Sequence, residues 1–223
     1  MQILLLIAAS LAGDASSQFQ RVVDENPPLD PSISCSYLAS SQFEGRAIQE
    51  NHTQKYGWRL LSVDGKPPSA SDLKDYRKRA RERERRVHPT KFDLSVLARE
   101  GSIEIISENF ETLTFSFSVN PMDRGNNMAL VGRLHGILVV NKESLKPLRL
   151  VIENKEPISP IATMKIEKFR QEMTFSMNHK LPGPLVEEMR FVFRGRFLIK
   201  RFNNERSVRY SNYECNPDYF PAF

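Results

Sequence analysis

Four histidines, His52, His88, His135 and His179, are the residues of this chain best able to ligate a metal or carry a proton, and they stand 36, 47 and 44 positions apart. A local metal motif needs two ligands close together, as in HxxxH or HxH, and no such pair occurs. A carboxylate and histidine set could come from Glu50, His52 and Asp64, which would form a hydrolytic site only if the fold carried Asp64 back to the other two. No G-x-S-x-G elbow, Walker loop or dinucleotide-binding glycine pattern is present. The residues therefore predict no catalytic set, no metal and no cofactor, and the chain reads as a non-enzyme. Cys35 and Cys215 are the only cysteines. In an oxidising compartment they would pair, closing a long loop worth roughly 4 to 5 kcal/mol in the chain-entropy account. Two separate buried thiols are the alternative.

The compartment follows from the first residues. An apolar block from Ile3 to Ala12 followed by small residues reads as a signal peptide over 1–15, although no Lys or Arg precedes the block. It is too short to span a bilayer. The expectation is a secreted protein, with the bacterial periplasm as its destination. Asn51-His52-Thr53 matches a glycosylation acceptor. The net charge is +5, but the stretch from Asp72 to Arg86 holds eight basic and four acidic residues and so accounts for +4 of it. Because Glu82 and Glu84 interrupt that stretch and Tyr76 is its one aromatic, it is a poor nucleic-acid surface.

The elements that must position these groups come from periodicity. Residues 16–34, with Pro27, Pro28 and Pro31, predict an extended or disordered leader. Ser34 to Phe43 reads as a short helix, and Tyr56 to Val63 as a strand ended by the turn at Asp64-Gly65. A firmer helix begins at a Ser69 or Ser71 cap and ends before Pro89, with Leu73, Tyr76, Ala80 and Val87 on its apolar stripe. Arg77, Arg81 and Arg85 on it are candidates for an anionic head group or membrane surface. From Leu113 the period is two: Leu113, Phe115, Phe117 and Val119 alternate with Thr112, Thr114, Ser116 and Ser118. Further strands follow around Leu134 to Val140, Leu148 to Ile152 and Met164 to Met177, the last with a phase change that predicts a bulge near Lys168. After Met189 to Ile199 a turn is predicted at Asn203-Asn204, with a final strand through Val208 and Tyr210.

The fold class expected is mainly β (α+β), a single domain over 35–215 with a C-terminal tail at 216–223. About eight strands spaced by roughly 4.8 Å make a sheet close to 40 Å wide, against a helix about 10 to 12 Å across. One helix cannot cover so wide an apolar face. A strongly curved antiparallel sheet, or half-barrel, with the main amphipathic helix on its concave side would solve the mismatch and leave an apolar hollow. Its expected lining is Phe115, Phe117, Leu138, Leu150, Met164, Phe175, Met177, Phe191 and Phe193.

The segment Gly136-Ile-Leu-Val-Val-Asn-Lys-Glu-Ser-Leu-Lys-Pro-Leu-Arg-Leu150, with the strand from Met164 to Met177 and the strands ending at Tyr210, resembles the periplasmic lipoprotein-sorting carriers of the LolA/LolB-like superfamily. The resemblance implies a curved sheet that binds or carries a lipid, an acyl chain or an acylated protein. No individual contact residue can be carried over from it, and the several covering helices of those carriers are not visible here. The alternative is a structural or interaction module of the cell envelope that holds no small ligand.

Overall fold

The computed structural model describes residues 15–30, 33–43, 45–53, 55–79, 89–90, 92–120, 133–176 and 183–216. The expected signal peptide and C-terminal tail lie outside these apart from their bordering residues Ala15 and Asn216. Eleven strands form one antiparallel sheet: β1 (Ser34–Phe43), β2 (Arg46–Thr53), β3 (Gly57–Val63), β4 (Glu104–Glu108), β5 (Thr112–Ser118), β6 (Leu134–Asn141), β7 (Pro147–Asn154), β8 (Ile158–Ile161), β9 (Met164–Ser176), β10 (Leu185–Phe197) and β11 (Lys200–Asn216). Their order is β3-β2-β1-β11-β10-β9-β7-β6-β5-β4, with β8 beside the first part of β9, and the sheet is open, with β3 and β4 at its edges. Among the described residues two helices accompany it, α1 over 15–25 and α2 (Ala70–Lys78). The second ends with Arg79 as its C-cap, short of the end expected before Pro89, and Ala80 and Val87 of the expected stripe lie outside the described residues.

The paired strands give the sheet one mainly apolar face. A single rung crosses ten strands through directly opposed residues: Ile105, Phe115, Leu138, Leu150, Met173, Met189, Val208, Ser41, Ile48 and Val63. Opposed residues point the same way, so this rung marks one side of the whole sheet. The other side carries charge ladders, including Arg149 to Glu172 at 2.7 Å, Arg190 to Glu188 at 2.7 Å and Arg209 to Glu188 at 3.5 Å.

The leader expected to be extended instead carries α1, and its side chains enter the core. Ala15, Phe19 and Val22 recur at helical spacing and are buried, with the Phe19 ring edge-on to Phe115 at 5.4 Å and to Phe117 at 5.6 Å. Asn26 ends the segment by donating to the carbonyls of Val22 at 2.7 Å and Leu145 at 2.9 Å, which ties it to the β6–β7 turn. From the other direction Phe92, Leu94 and Leu97 are also buried, and Phe92 packs on Phe175 at 5.1 Å.

Two further expectations are corrected. Ser34 to Phe43 is not a helix but β1, because its alternate residues Cys35, Tyr37, Ala39 and Ser41 face inward between β2 and β11. The turn into the last strand falls at Leu198-Ile199 and not at Asn203-Asn204, since Phe197 is opposite Lys200 and the pairing continues through Asn203 and Asn204. The bulge near Lys168 is present: Arg194 opposes Lys168 and Gly195 opposes Ile166, skipping Glu167. Cys35 and Cys215 form a disulfide, their Cα atoms 4.0 Å apart and directly opposed in β1 and β11. Among the described residues, no helix is long and apolar enough to cross a membrane.

Candidate functional site

The expected lining divides into three groups. Phe115, Phe117, Leu138 and Leu150 are completely buried, and Phe175 nearly so, beneath α1 and the 92–97 segment. That part of the anticipated hollow is packed core. Phe191 and Phe193 are half-buried and stack at 6.1 Å, with Phe193 on Phe202 at 4.9 Å and Phe169 edge-on to Phe191 at 5.5 Å. Met164 is half-buried at the far end of β9, opposite Phe197. Met177 lies outside the described residues, as do Arg81, Arg85, His88 and His179. Arg77 is exposed in the last turn of α2.

Open space is found instead between α2 and the β1–β3 end of the same face. A cleft of about 330 Å³ there has Ser41, Phe43, Ile48, Glu50, Leu60 and Val63 on the strands and Asp72, Asp75, Tyr76 and Arg79 on the helix side, with Arg46 and Arg206 completing its wall. Sequence alone assigned none of these residues to a ligand. The missed signal is the weak alternation Ile48, Glu50, His52 in β2, where polar residues occupy inward positions.

The roof of the cleft is positioned by its own N-terminus. Ser69 caps α2: its hydroxyl accepts from the Asp72 amide at 3.2 Å, and the Asp72 carboxylate accepts from the Ser69 amide at 3.0 Å, a reciprocal capping box. Arg46 reaches up from β2 to the same carboxylate at 2.9 Å and to Asp64 at 3.4 Å. The Ser69 hydroxyl first, and the Arg46 guanidinium second, pull the Asp72 carboxyl down to about 2. None of the nine residues of α2 is buried, so the helix is attached by this cap, this ion pair and the half-buried Leu73 and Tyr76.

Inside the cleft Glu50 is only 2 % exposed, opposite Ala39 and Leu60 in the register. A buried carboxylate and a guanidinium, Arg206, in one cleft can orient a polar head while Phe43, Ile48, Leu60 and Val63 receive an apolar body. The hydrolytic trio does not assemble. His52 is stacked on Tyr37 at 4.9 Å and lies edge-on to Trp58 at 5.1 Å, its Nδ1 3.4 Å from the Cys35 carbonyl oxygen. Asp64 is committed to the turn, accepting from the Ala47 amide at 2.8 Å. His135 is half-buried, with Nε2 3.4 Å from the Ser116 hydroxyl, and burial lowers its pKa. Among the described residues, no group of three His, Cys, Asp or Glu side chains could hold a metal ion. Comparison with protein-family models, with curated proteins and with solved structures finds no match to this chain.

Proposed function

We propose that the protein is a secreted, non-enzymatic binding or carrier protein for a lipid or acyl chain, with the ligand seated under α2 and not over the middle of the sheet. The carrying observation is the uneven cover of one face: α1 fills its half with side chains, whereas α2 leaves a cleft whose floor joins Phe43, Ile48, Leu60 and Val63 to Ser41 and the buried Glu50, with a charged wall. Its volume is at the small end for ligand pockets, which favours one chain with a polar head over a bulky multi-chain lipid. The disulfide fits an oxidising compartment, and the apolar block at Ile3 to Ala12 fits export. Curvature of the sheet into a half-barrel, with α2 across its mouth, belongs to the same reading, as does kinship with the lipoprotein-sorting carriers. Native mass spectrometry of protein purified without detergent should find one extractable lipid per chain, and a fluorescent fatty acid should enter the emptied protein but not an Ile48→Trp variant. Protein that carries no lipid and takes up no probe removes the proposal.

The alternative, an envelope interaction module, is favoured by a different observation, the two sheet edges, β3 and β4, that have no outer neighbour strand among the described residues. Crosslinking from residues of those edges to another envelope protein, with the cleft empty, would select it.

A further inference from the structure

The β10–β11 hairpin breaks two local rules at once. Its two-residue tip is Leu198-Ile199, where turns ordinarily carry Gly, Asn or Asp, and Leu198 adopts a positive φ of 54° that a bulky side chain disfavours. Both side chains project into solvent, Ile199 at 99 % and Leu198 at 60 % exposure, beside the exposed Phe197. The neighbouring β8–β9 hairpin ends at the same level: the Leu198 amide donates to the Thr163 carbonyl at 2.6 Å, and Ile161 there is also exposed.

Immediately behind this apolar tip, Lys165, Arg196 and Arg201 are directly opposed on three adjacent strands. Like charges at opposed positions destabilise a sheet. Among the described residues, no ion pair relieves them: the nearest acid in the pairing, Glu205, is bound to Arg194 at 3.5 Å, and Glu167 is skipped by the bulge. A fold that keeps aliphatics at an exposed turn and an uncompensated cationic rung behind them has groups fitted to an external surface that is apolar inside and anionic outside.

We propose that this hairpin tip docks the protein on an anionic lipid bilayer, with Leu198 and Ile199 entering the acyl boundary and the Lys165, Arg196 and Arg201 rung meeting the head groups. The basic helix that sequence alone put forward for that contact, α2, supplies none of these residues. Docking stands independently of what the α2 cleft holds.

Cosedimentation with vesicles tests it. The protein should bind phosphatidylcholine vesicles that contain phosphatidylglycerol, should not bind pure phosphatidylcholine, and should be released by salt. Arg196→Gln and Arg201→Gln should each weaken binding about fivefold. The double variant Leu198→Gly with Ile199→Ser restores ordinary turn residues, so it should fold with equal or greater stability and yet lose vesicle binding. Binding unchanged in the double variant, equal binding to neutral vesicles, or no binding to the anionic ones overturns the proposal. So does a dimer, seen by sedimentation, that the same double variant dissolves, since a second copy would then be the occupant.

Discussion

The two ends of one apolar face are covered in opposite ways. At the β5 end, α1 sets Phe19 against Phe115 and Phe117, which have no solvent exposure, buries Val22 in the same core, and Asn26 pins its end to the β6–β7 turn. Over β1, β2 and β3, α2 buries none of its residues and is held by a cap and the Arg46 to Asp72 ion pair. The first helix is part of the cooperative core; the second is a cover attached at its N-terminus. Helices of similar length thus do different work because of what their inward positions carry: Ala15, Phe19 and Val22 in one, Leu73 and Tyr76 in the other.

That contrast can be broken in graded steps. Replacing both cysteines by alanine should cost about 5 kcal/mol at most, from the loop the bridge closes, and should loosen both ends together because β1 and β11 lie between them; denaturant unfolding measures it. Phe19→Ala should destabilise the whole domain by about 3 to 5 kcal/mol, visible as a single lowered midpoint; a loss confined to α1 amides in hydrogen exchange would show that α1 is no part of the core. Gly136→Ala should cost about 1 to 3 kcal/mol, because the Phe117 ring lies against the glycine where a Cβ would stand.

On the other side the effects should be local. Ser69→Ala should weaken α2 by about 1 kcal/mol and shift the emission of Trp58, the sole tryptophan, which shares a depression with Leu73, Tyr76 and Arg77, while the global midpoint stays nearly constant. The smallest effect should come from acid. Asp72 titrates near 2 in the folded protein against an ordinary 3.8, so its contribution to holding α2 is complete above the higher value and is lost as pH falls toward the lower one. The Trp58 emission should change through that interval before the far-ultraviolet circular dichroism does. Simultaneous loss of both signals would make α2 as integral as α1.

The strands of the sealed end were legible because Leu113, Phe115, Phe117 and Val119, like Leu138 and Leu150, alternate with polar residues along a local stretch. The α2 cap at Ser69, the bulge beside Lys168 and the disulfide could likewise be read from short segments or from cysteine count. The other end could not. β1 and β2 place Ser41 and Glu50 at inward positions, so hydrophobic period is faint, and β1 finds its partner β11 across most of the chain. α1 shows its apolar spacing only over three positions next to a run of prolines, which masked it. The same bias shaped the expected lining: the greasiest strands attract attention, and their Phe115, Phe117, Leu138 and Leu150 are side chains the fold has already covered. Turn chemistry misled at Asn203-Asn204 because registry with β9 and β10 outweighed local preference and put the reversal at Leu198-Ile199.

The Cys35 to Cys215 bond joins a strand near the start of the chain to the last strand, and those two strands are neighbours in the interior of the sheet. During synthesis the β1–β3 meander must therefore wait, with a raw edge, until β11 emerges and closes the seam. Oxidation then acts as a proofreading step, since a slip of one residue would turn the two sulfurs to opposite sides and prevent the bond. Deleting β11 would not trim a border but cut the sheet in two.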